Sequence, residues 1–327
     1  MNWTGKRVLV TGSGGFIGSH LTERMVELGA DVRALVHYNA LGSWGWLDSS
    51  PTRDQVEVIA GDVRDRDIVG AAVSGVDTVF HLAALIAIPY SYRAPHSYVA
   101  TNIEGTLNIL SAARDHGVRR VVHTSTSEVY GTARYVPIDE AHPLQGQSPY
   151  SASKIGADKM AEAFNASFAV PIVTIRPFNT FGPRQSARAV VATIITQCLT
   201  GDKVRLGSLH PTRDLTFVAD TVNGFVLAGS ADGVDGETIN LGSGRETSIG
   251  DLVELIAAAV GKDVDIVTDD QRLRPEGSEV DRLLADNARA RALLGWEPSV
   301  LLEEGLRRTV AWYREHLDAY RPGMYAF

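Results

Sequence analysis

Three glycines at a spacing of three, Gly12, Gly15 and Gly18 in VTGSGGFIGSHL, join the apolar run RVLVT to a stretch of helical period beginning at Phe16. Each glycine answers a different steric demand. Gly12 permits a tight turn, Gly15 lets the backbone approach a ligand, and Gly18 lets the helix pack closely on the strand. The helix N-terminus then offers unpaired N–H donors and the positive end of its dipole, a seat for a pyrophosphate. A plain strand-to-helix turn uses glycine too, so the flanking strand and helix carry the reading.

Those flanks repeat along the first half of the chain. RVLVT and the helical stretch Phe16 to Leu28, VRALV, VEVIA, TVFHLA and Tyr98 to His116, RRVVHTS and Ser151 to Phe168, then PIVTIRP alternate strand with helix. Parallel strands need crossovers and bury both faces, so the fold class is α/β, a doubly wound parallel sheet. After Pro177 the rhythm breaks into loops, short strands and helical segments over Ile249 to Val260, Asp286 to Leu294 and Leu302 to Leu317. The expected organisation is a dinucleotide-binding domain over residues 1–176, with a later contribution from about 215–242. A smaller, interleaved C-terminal substrate lobe is expected from 177–214 and 243–327, because no Ser/Gly/Pro linker separates the parts. A chain of 327 residues exceeds what one typical core supports, which also favours two joined lobes.

A net charge of −8 argues against a nucleic-acid or anionic-membrane surface. The longest apolar run, VFHLAALIAIPY, stops at Pro89 and cannot span a bilayer. The N-terminal run is too short for the core of an export signal. Cys198, alone, excludes an internal disulfide and a multi-cysteine metal site, in keeping with a reducing cytoplasm, and reads as a small core hydrophobe. No metal is expected.

Two constellations carry chemistry. YSASK sets Tyr150 and Lys154 one helical turn apart, and a cation beside a phenol favours the phenolate as a base. TSTSEVYG, Thr124 to Gly131, follows the buried run RRVVH and aims Glu128 at the crevice where an open parallel sheet binds ligands. Alternatively, Tyr150 and Lys154 are surface residues of a helix start, and Glu128 is a loop cap near Tyr130. The strand VRALV ends in Val36, His37, Tyr38 and Asn39, with neither the carboxylate that grips the ribose of NAD nor an arginine pair for the 2′-phosphate of NADP. Asp62 in AGDVRD is placed to accept from an adenine amine or simply to form a turn.

With these residues in place the chain resembles the extended short-chain dehydrogenase/reductase superfamily from end to end. TGSGGFIG, GDVRD, HLAA, STSEVYG, PYSASK, RPFNTFGPRQ, TRDLTFVAD, NLGSG and LGWEPSVLLEEGL resemble its landmarks in its order. The resemblance implies a Rossmann fold, and NAD as cofactor without excluding NADP. It implies a cofactor site of Gly12, Gly15, Phe16, Ile17, Gly18, Asp62, Val63, Leu82, Ala83, Ala84, Tyr150, Lys154 and Pro177. It also implies that Thr126 holds a sugar 4-hydroxyl beside Tyr150, and that Asn179, Arg213 and Arg274 hold the diphosphate of a nucleotide-sugar. Arg184 and Arg188 are phosphate ligands or solvated charges. Trp44 and Trp46 cover the adenine, meet a second subunit or simply pack. A homodimer is implied, through a four-helix interface built from Tyr98 to His116 and Ser151 to Phe168.

Within the superfamily, 4-epimerases resemble this chain less at Ser127 and Glu128, where theirs are usually small and uncharged. Sugar 4,6-dehydratases place acid–base groups there, and the Thr-Ser-Glu order resembles that of GDP-mannose dehydratases. Longer stretches, including VHYNALGSWGWLDSS and RPEGSEVDRLLAD, resemble the legionaminic-acid-type N-acetylglucosamine nucleotide 4,6-dehydratases, whose sugar is UDP- or GDP-activated. The implied catalytic set is Thr126, Ser127, Glu128, Tyr150 and Lys154. UDP-glucuronate decarboxylases share TSEVYG but usually carry Arg-Ala at the place of Arg213-Asp214. A dinucleotide-sensing regulator needs the glycine loop but not the catalytic set.

Overall fold

The protein is described by a computed structural model that covers residues 2–321; Met1 and residues 322–327, assigned above to the two lobes, lie outside the described residues. The main sheet is built from β1 (Arg7–Thr11), β2 (Asp31–His37), β3 (Val56–Gly61), β4 (Thr78–His81), β5 (Arg120–Thr124), β6 (Ile172–Pro177) and, from much later in the chain, β10 (Thr238–Leu241). Its strand order is β3-β2-β1-β4-β5-β6-β10, and every neighbouring pair is parallel. The order reverses direction between β1 and β4, which opens a crevice at their carboxyl ends.

Successive side chains of β1 enter different cores. Val8 and Val10 pack with Leu21 and Met25 of α1 (Phe16–Glu27) and Phe225 of α8 (Val218–Ser230). Leu9 packs on the other face with Val69 of α2 (Arg66–Val73) and Ile109 of α5 (Gly105–Asp115). Burial on both faces explains why the strands read as apolar runs without polar alternation.

Between β4 and α5 lie α3 (Ile88–Arg93), α4 (Pro95–Tyr98) and a π-helical segment, Val99–Glu104. The helix expected from Tyr98 to His116 is therefore wound too wide at its start. Asn102 sits in the wide turn, accepting from the Leu85 amide at 2.8 Å and donating to the Leu85 carbonyl at 2.9 Å. It also donates to Ser153 Oγ at 2.9 Å, tying the loop after β4 to α6 (Pro149–Phe168).

The remaining elements form β7 (Asn179–Phe181), α7 (Val190–Thr200), β8 (Lys203–Leu206), β9 (Thr212–Phe217), β11 (Glu246–Ser248), α9 (Ile249–Val260), β12 (Asp265–Thr268), α10 (Ala288–Leu294) and α11 (Leu302–Glu315). Two small sheets, β11-β9-β7 and β12-β8, lie apart from the main one. We propose the expected division into lobes on this basis, since β10 returns the chain to the main sheet. α10 starts two residues later than the apolar period suggests because Asp286 turns the chain before it, accepting from the Ala288 amide at 2.7 Å. No helix among the described residues is long and apolar enough to cross a membrane.

Candidate active site at the carboxyl end of the sheet

A cleft of about 1180 Å³ opens at the reversal point, over the carboxyl ends of β1, β4, β5 and β6. Its cofactor half begins at the glycine loop. Gly12 adopts φ +71°, a left-handed conformation that other residues enter at a cost, and a Cβ on Gly18 would collide with the Gly12 carbonyl oxygen. Gly15 caps α1 without a side chain, so no side-chain oxygen occupies the first-turn N–H groups. Thr11 at the end of β1 accepts from the Leu82 and Ala83 amides, both at 3.0 Å, which fixes the strand-to-loop exit of β4 beside the glycines. These features fit a dinucleotide pyrophosphate. Gly12, Gly15, Phe16, Ile17, Gly18, Leu82, Ala83, Ala84 and Pro177 all line the cleft.

Asp62 and Val63 do not. Val63 is 5% exposed and belongs to the core under α5, while Asp62 is held by Arg64 through Nε at 3.0 Å and Nη2 at 2.5 Å. Arg64 accordingly holds the Asp62 carboxyl below its ordinary range. Trp46 settles as packing: its ring lies 5.3 Å from that of Trp312 in α11. Trp44 lines the cleft, with the Arg53 guanidinium 4.6 Å from its ring centre.

The catalytic half is assembled from two helix starts. Thr126 is extended and caps the 3₁₀ turn Ser127–Tyr130, accepting from the Glu128 amide at 3.2 Å. Glu128 therefore sits in a capped turn, and its carboxylate still lines the cleft, 9% exposed, with no hydrogen bond to another described residue. Ser148 caps α6 reciprocally with Ser151, and Pro149 opens the first turn, which places Tyr150 in that turn and Lys154 one turn on. Both line the same cleft as Thr126, Ser127 and Glu128.

In the protein without its cofactor, the surroundings of Tyr150 disfavour the expected phenolate. Burial pushes the Tyr150 phenol well above its ordinary value, the Thr126 hydroxyl opposes this, and Glu128 adds to it. The Lys154 ammonium is committed to the Thr124 carbonyl at 2.5 Å. Burial lowers Lys154 to about 8, against which Asp158 acts. Helical spacing alone thus brings the pair together without activating it, because the same burial that excludes water disfavours both charged forms.

Arg213, Arg274 and Asn179, the expected diphosphate residues, all line the same cleft, with the two arginines close to one another. Arg213 is 6% exposed, and burial and the neighbouring Arg274 disfavour its charge while Glu128 and Glu279 support it. Glu279 pairs with both arginines, at 3.6 Å to Arg213 Nη2 and 3.5 Å to Arg274 Nη1. Arg274 Nη1 and Asn179 Oδ1 are buried without a hydrogen-bond partner among the described residues, as polar atoms built to meet a ligand would be. Glu279, which lines the cleft between the two arginines, is not signalled by the sequence beyond its place in RPEGSEV. Arg188 also lines the cleft. Arg184 is structural: φ is +69°, and it bonds Glu23 Oε1 at 2.9 Å and Ser19 Oγ at 3.2 Å, clamping α1. Asp214 is structural as well, accepting from the Ser243, Gly244 and Ala285 amides.

The likeness to known proteins follows the same geometry. A family model described as GDP-mannose 4,6 dehydratase matches residues 9–309. The UDP-glucose 4-epimerase of Mycolicibacterium smegmatis is 37% identical over 315 residues, covering 94% of this chain and 98% of that protein. The dTDP-glucose 4,6-dehydratase of Streptomyces antibioticus is 33% identical over 320 residues, covering 96% and 94%. Among solved structures, the dTDP-glucose 4,6-dehydratase of Streptomyces venezuelae with NAD bound superposes with a TM-score of 0.87 at 31% identity, over 96% of this chain and 99% of that one. With its glycine cradle, its Tyr150–Lys154 helix and its arginine pair around one cleft, the chain belongs to the GDP-mannose 4,6-dehydratase family of extended short-chain dehydrogenases/reductases, enzymes of nucleotide-sugar dehydration and epimerisation.

Proposed function

We propose that the protein is a nucleotide-sugar 4,6-dehydratase that converts UDP- or GDP-activated N-acetylglucosamine, or a related hexose, to its 4-keto-6-deoxy form, in the manner of the legionaminic-acid-type enzymes. Its cofactor is NAD, as in the Streptomyces venezuelae structure, and the cradle from Gly12 to Gly18 fits it. Gly12, Gly15 and Gly18 would hold its pyrophosphate, and bound NAD would supply reversible hydride-acceptor chemistry and a positive charge beside Tyr150. Thr126 and Tyr150 hold the 4-hydroxyl, and Tyr150 takes its proton, supported by Lys154. Once C4 is a ketone the C5 proton is acidic, and Glu128 removes it while the C6 hydroxyl leaves as water. Glu128 gives that proton back to the leaving oxygen, directly or through Ser127. Arg213, Arg274 and Asn179 hold the diphosphate, for which planar guanidinium forks are well suited.

The observation that carries this reading is Glu128: a carboxylate with no hydrogen bond among the described residues, lining the cleft near Tyr150, where an epimerase needs no second acid–base group. The relatives divide between 4-epimerases and dehydratases, so the 4-epimerase is the second reading. Incubation with UDP- or GDP-N-acetylglucosamine and mass analysis separates them. A product lighter by one water supports the dehydratase; an isomer of unchanged mass supports the epimerase, and carbon dioxide from UDP-glucuronate would support a decarboxylase. We further infer a homodimer through α5 and α6, supported by the exposed Val99 in the π-helical segment before α5 and the exposed Phe168 at the end of α6; sedimentation as a monomer at micromolar concentration would contradict it.

A further inference from the structure

Behind Tyr150 and Lys154 lies a buried charge with no part in the chemistry derived above. Asp158 follows Lys154 by one turn of α6 and is 5% exposed. Its carboxylate accepts from Ser125 Oγ at 2.7 Å, His123 Nε2 at 3.1 Å, and Arg176 Nη2 at 3.0 Å. Ser125 directly follows β5, and Arg176 lies on β6, so one carboxylate joins both strand ends to the catalytic helix. Arg176 in turn donates to the Tyr130 hydroxyl at 2.9 Å, which bonds Asn240 Oδ1 at 2.7 Å.

We propose that Asp158 is a positioning residue for this reaction: its buried carboxylate is the counter-charge that keeps Lys154 an ammonium, and its bond to Ser125 fixes the segment carrying Thr126 against the helix carrying Tyr150. The proposal rests on the reading of Tyr150 and Lys154 as the catalytic pair.

Among the described residues, no anion other than Asp158 acts on Lys154. Tyr150 and Asp158 face it from its own helix, His123 and the Thr124 carbonyl from β5, His81 from β4, and Arg176 stands beyond Asp158 on β6. Burial holds both imidazoles below their ordinary values, and His81 is locked between Thr11 Oγ1 at 2.9 Å and Thr106 Oγ1 at 3.1 Å. Glu128 acts instead on Arg213 and Tyr150. Arg176 alone would suffice for a merely structural ion pair. What a structural role does not require is a second cation one turn away, itself buried and bonded to the strand that leads to Thr126.

The chain has five lysines, so Lys154 can be followed directly in the NAD-loaded protein by NMR of ¹³Cε-labelled lysine, with Lys154→Met identifying its signal. Asp158→Asn should lower the Lys154 titration midpoint by about one pH unit or more, the effect of removing an adjacent opposite charge. The alkaline limb of single-turnover cofactor reduction should move with it. A folded Asn variant whose Lys154 midpoint and alkaline limb match wild type overturns the proposal. Asp158→Glu keeps the charge and guards against an Asn variant that does not fold. It should leave the midpoint in place while slowing cofactor reduction roughly ten- to a hundred-fold, because the added methylene shifts the Ser125 bond. A Glu variant with the wild-type rate would refute the positioning role. The midpoint needs no substrate, so an enzyme that proves to be an epimerase fails the product assay while leaving this test intact.

Discussion

Replacing Lys154 with Met should make the cofactor-free protein's stability respond differently to pH. Lys154 is 4% exposed, and burial depresses it from its ordinary 10.5 to about 8 in the folded chain. At 1.36 kcal/mol per pH unit that depression corresponds to roughly 3 kcal/mol of destabilisation. Below about pH 8 the folded and unfolded chains both carry the proton, and the full cost is present. Between about 8 and 10.5 the folded chain loses its proton first, the unfolded state binds more protons, and stability rises with pH; above 10.5 the difference has gone. Urea unfolding of both proteins near pH 7.5 and near pH 9.5 should therefore show wild type regaining roughly 2 kcal/mol relative to the Met variant. Effects common to both proteins cancel in that difference. The lost bond to Thr124 shifts both ends of the comparison, so the change with pH carries the test. A stability difference that stays constant across this range would refute the claim that Lys154 is buried as a costly cation. The Met variant should also be inert in cofactor reduction, a cost borne for function.

Tyr150→Phe should slow cofactor reduction by roughly 10²- to 10⁴-fold in single-turnover absorbance while nucleotide-sugar binding by calorimetry stays close to normal. Gly18→Ala should abolish copurification of NAD, read by mass spectrometry of the denatured protein's supernatant, because its Cβ meets the Gly12 carbonyl in the turn that seats the pyrophosphate. Arg213→Met should weaken nucleotide-sugar affinity roughly ten- to a hundred-fold, the worth of a charged hydrogen bond, and leave NAD retention unchanged. Equal affinity in calorimetry would remove Arg213 from the diphosphate site.

What could be read from the sequence was local. The spacing of Gly12, Gly15 and Gly18 encodes one turn, and YSASK encodes one face of one helix, so both were legible without the fold. The β-branched runs sufficed for the parallel sheet because its inner strands are buried on both faces. The π-helical segment before α5 was not legible, since Asn102 within it is held by the Leu85 amide from the loop after β4, distant in sequence. The same holds for Glu279 between Arg213 and Arg274, for the Asp158 network and for Arg184, whose partner Glu23 lies on α1. Local spacing was also incomplete at Lys154. It predicted a cation beside a phenol, while the fold directs the ammonium to Thr124 and buries both groups.

The central claim is that Glu128 is the base that makes this enzyme a dehydratase. Glu128→Gln keeps the size and hydrogen-bonding capacity of the side chain and removes the base. Under single-turnover conditions with UDP- or GDP-N-acetylglucosamine, absorbance of bound reduced nicotinamide should rise and persist, with little 4-keto-6-deoxy product. In deuterated water the wild-type product should carry deuterium at C5, and the variant should incorporate little. A Gln variant that forms the 4-keto-6-deoxy sugar at the wild-type rate, or a wild type that returns only the C4 epimer with its 6-hydroxyl intact, would contradict the account.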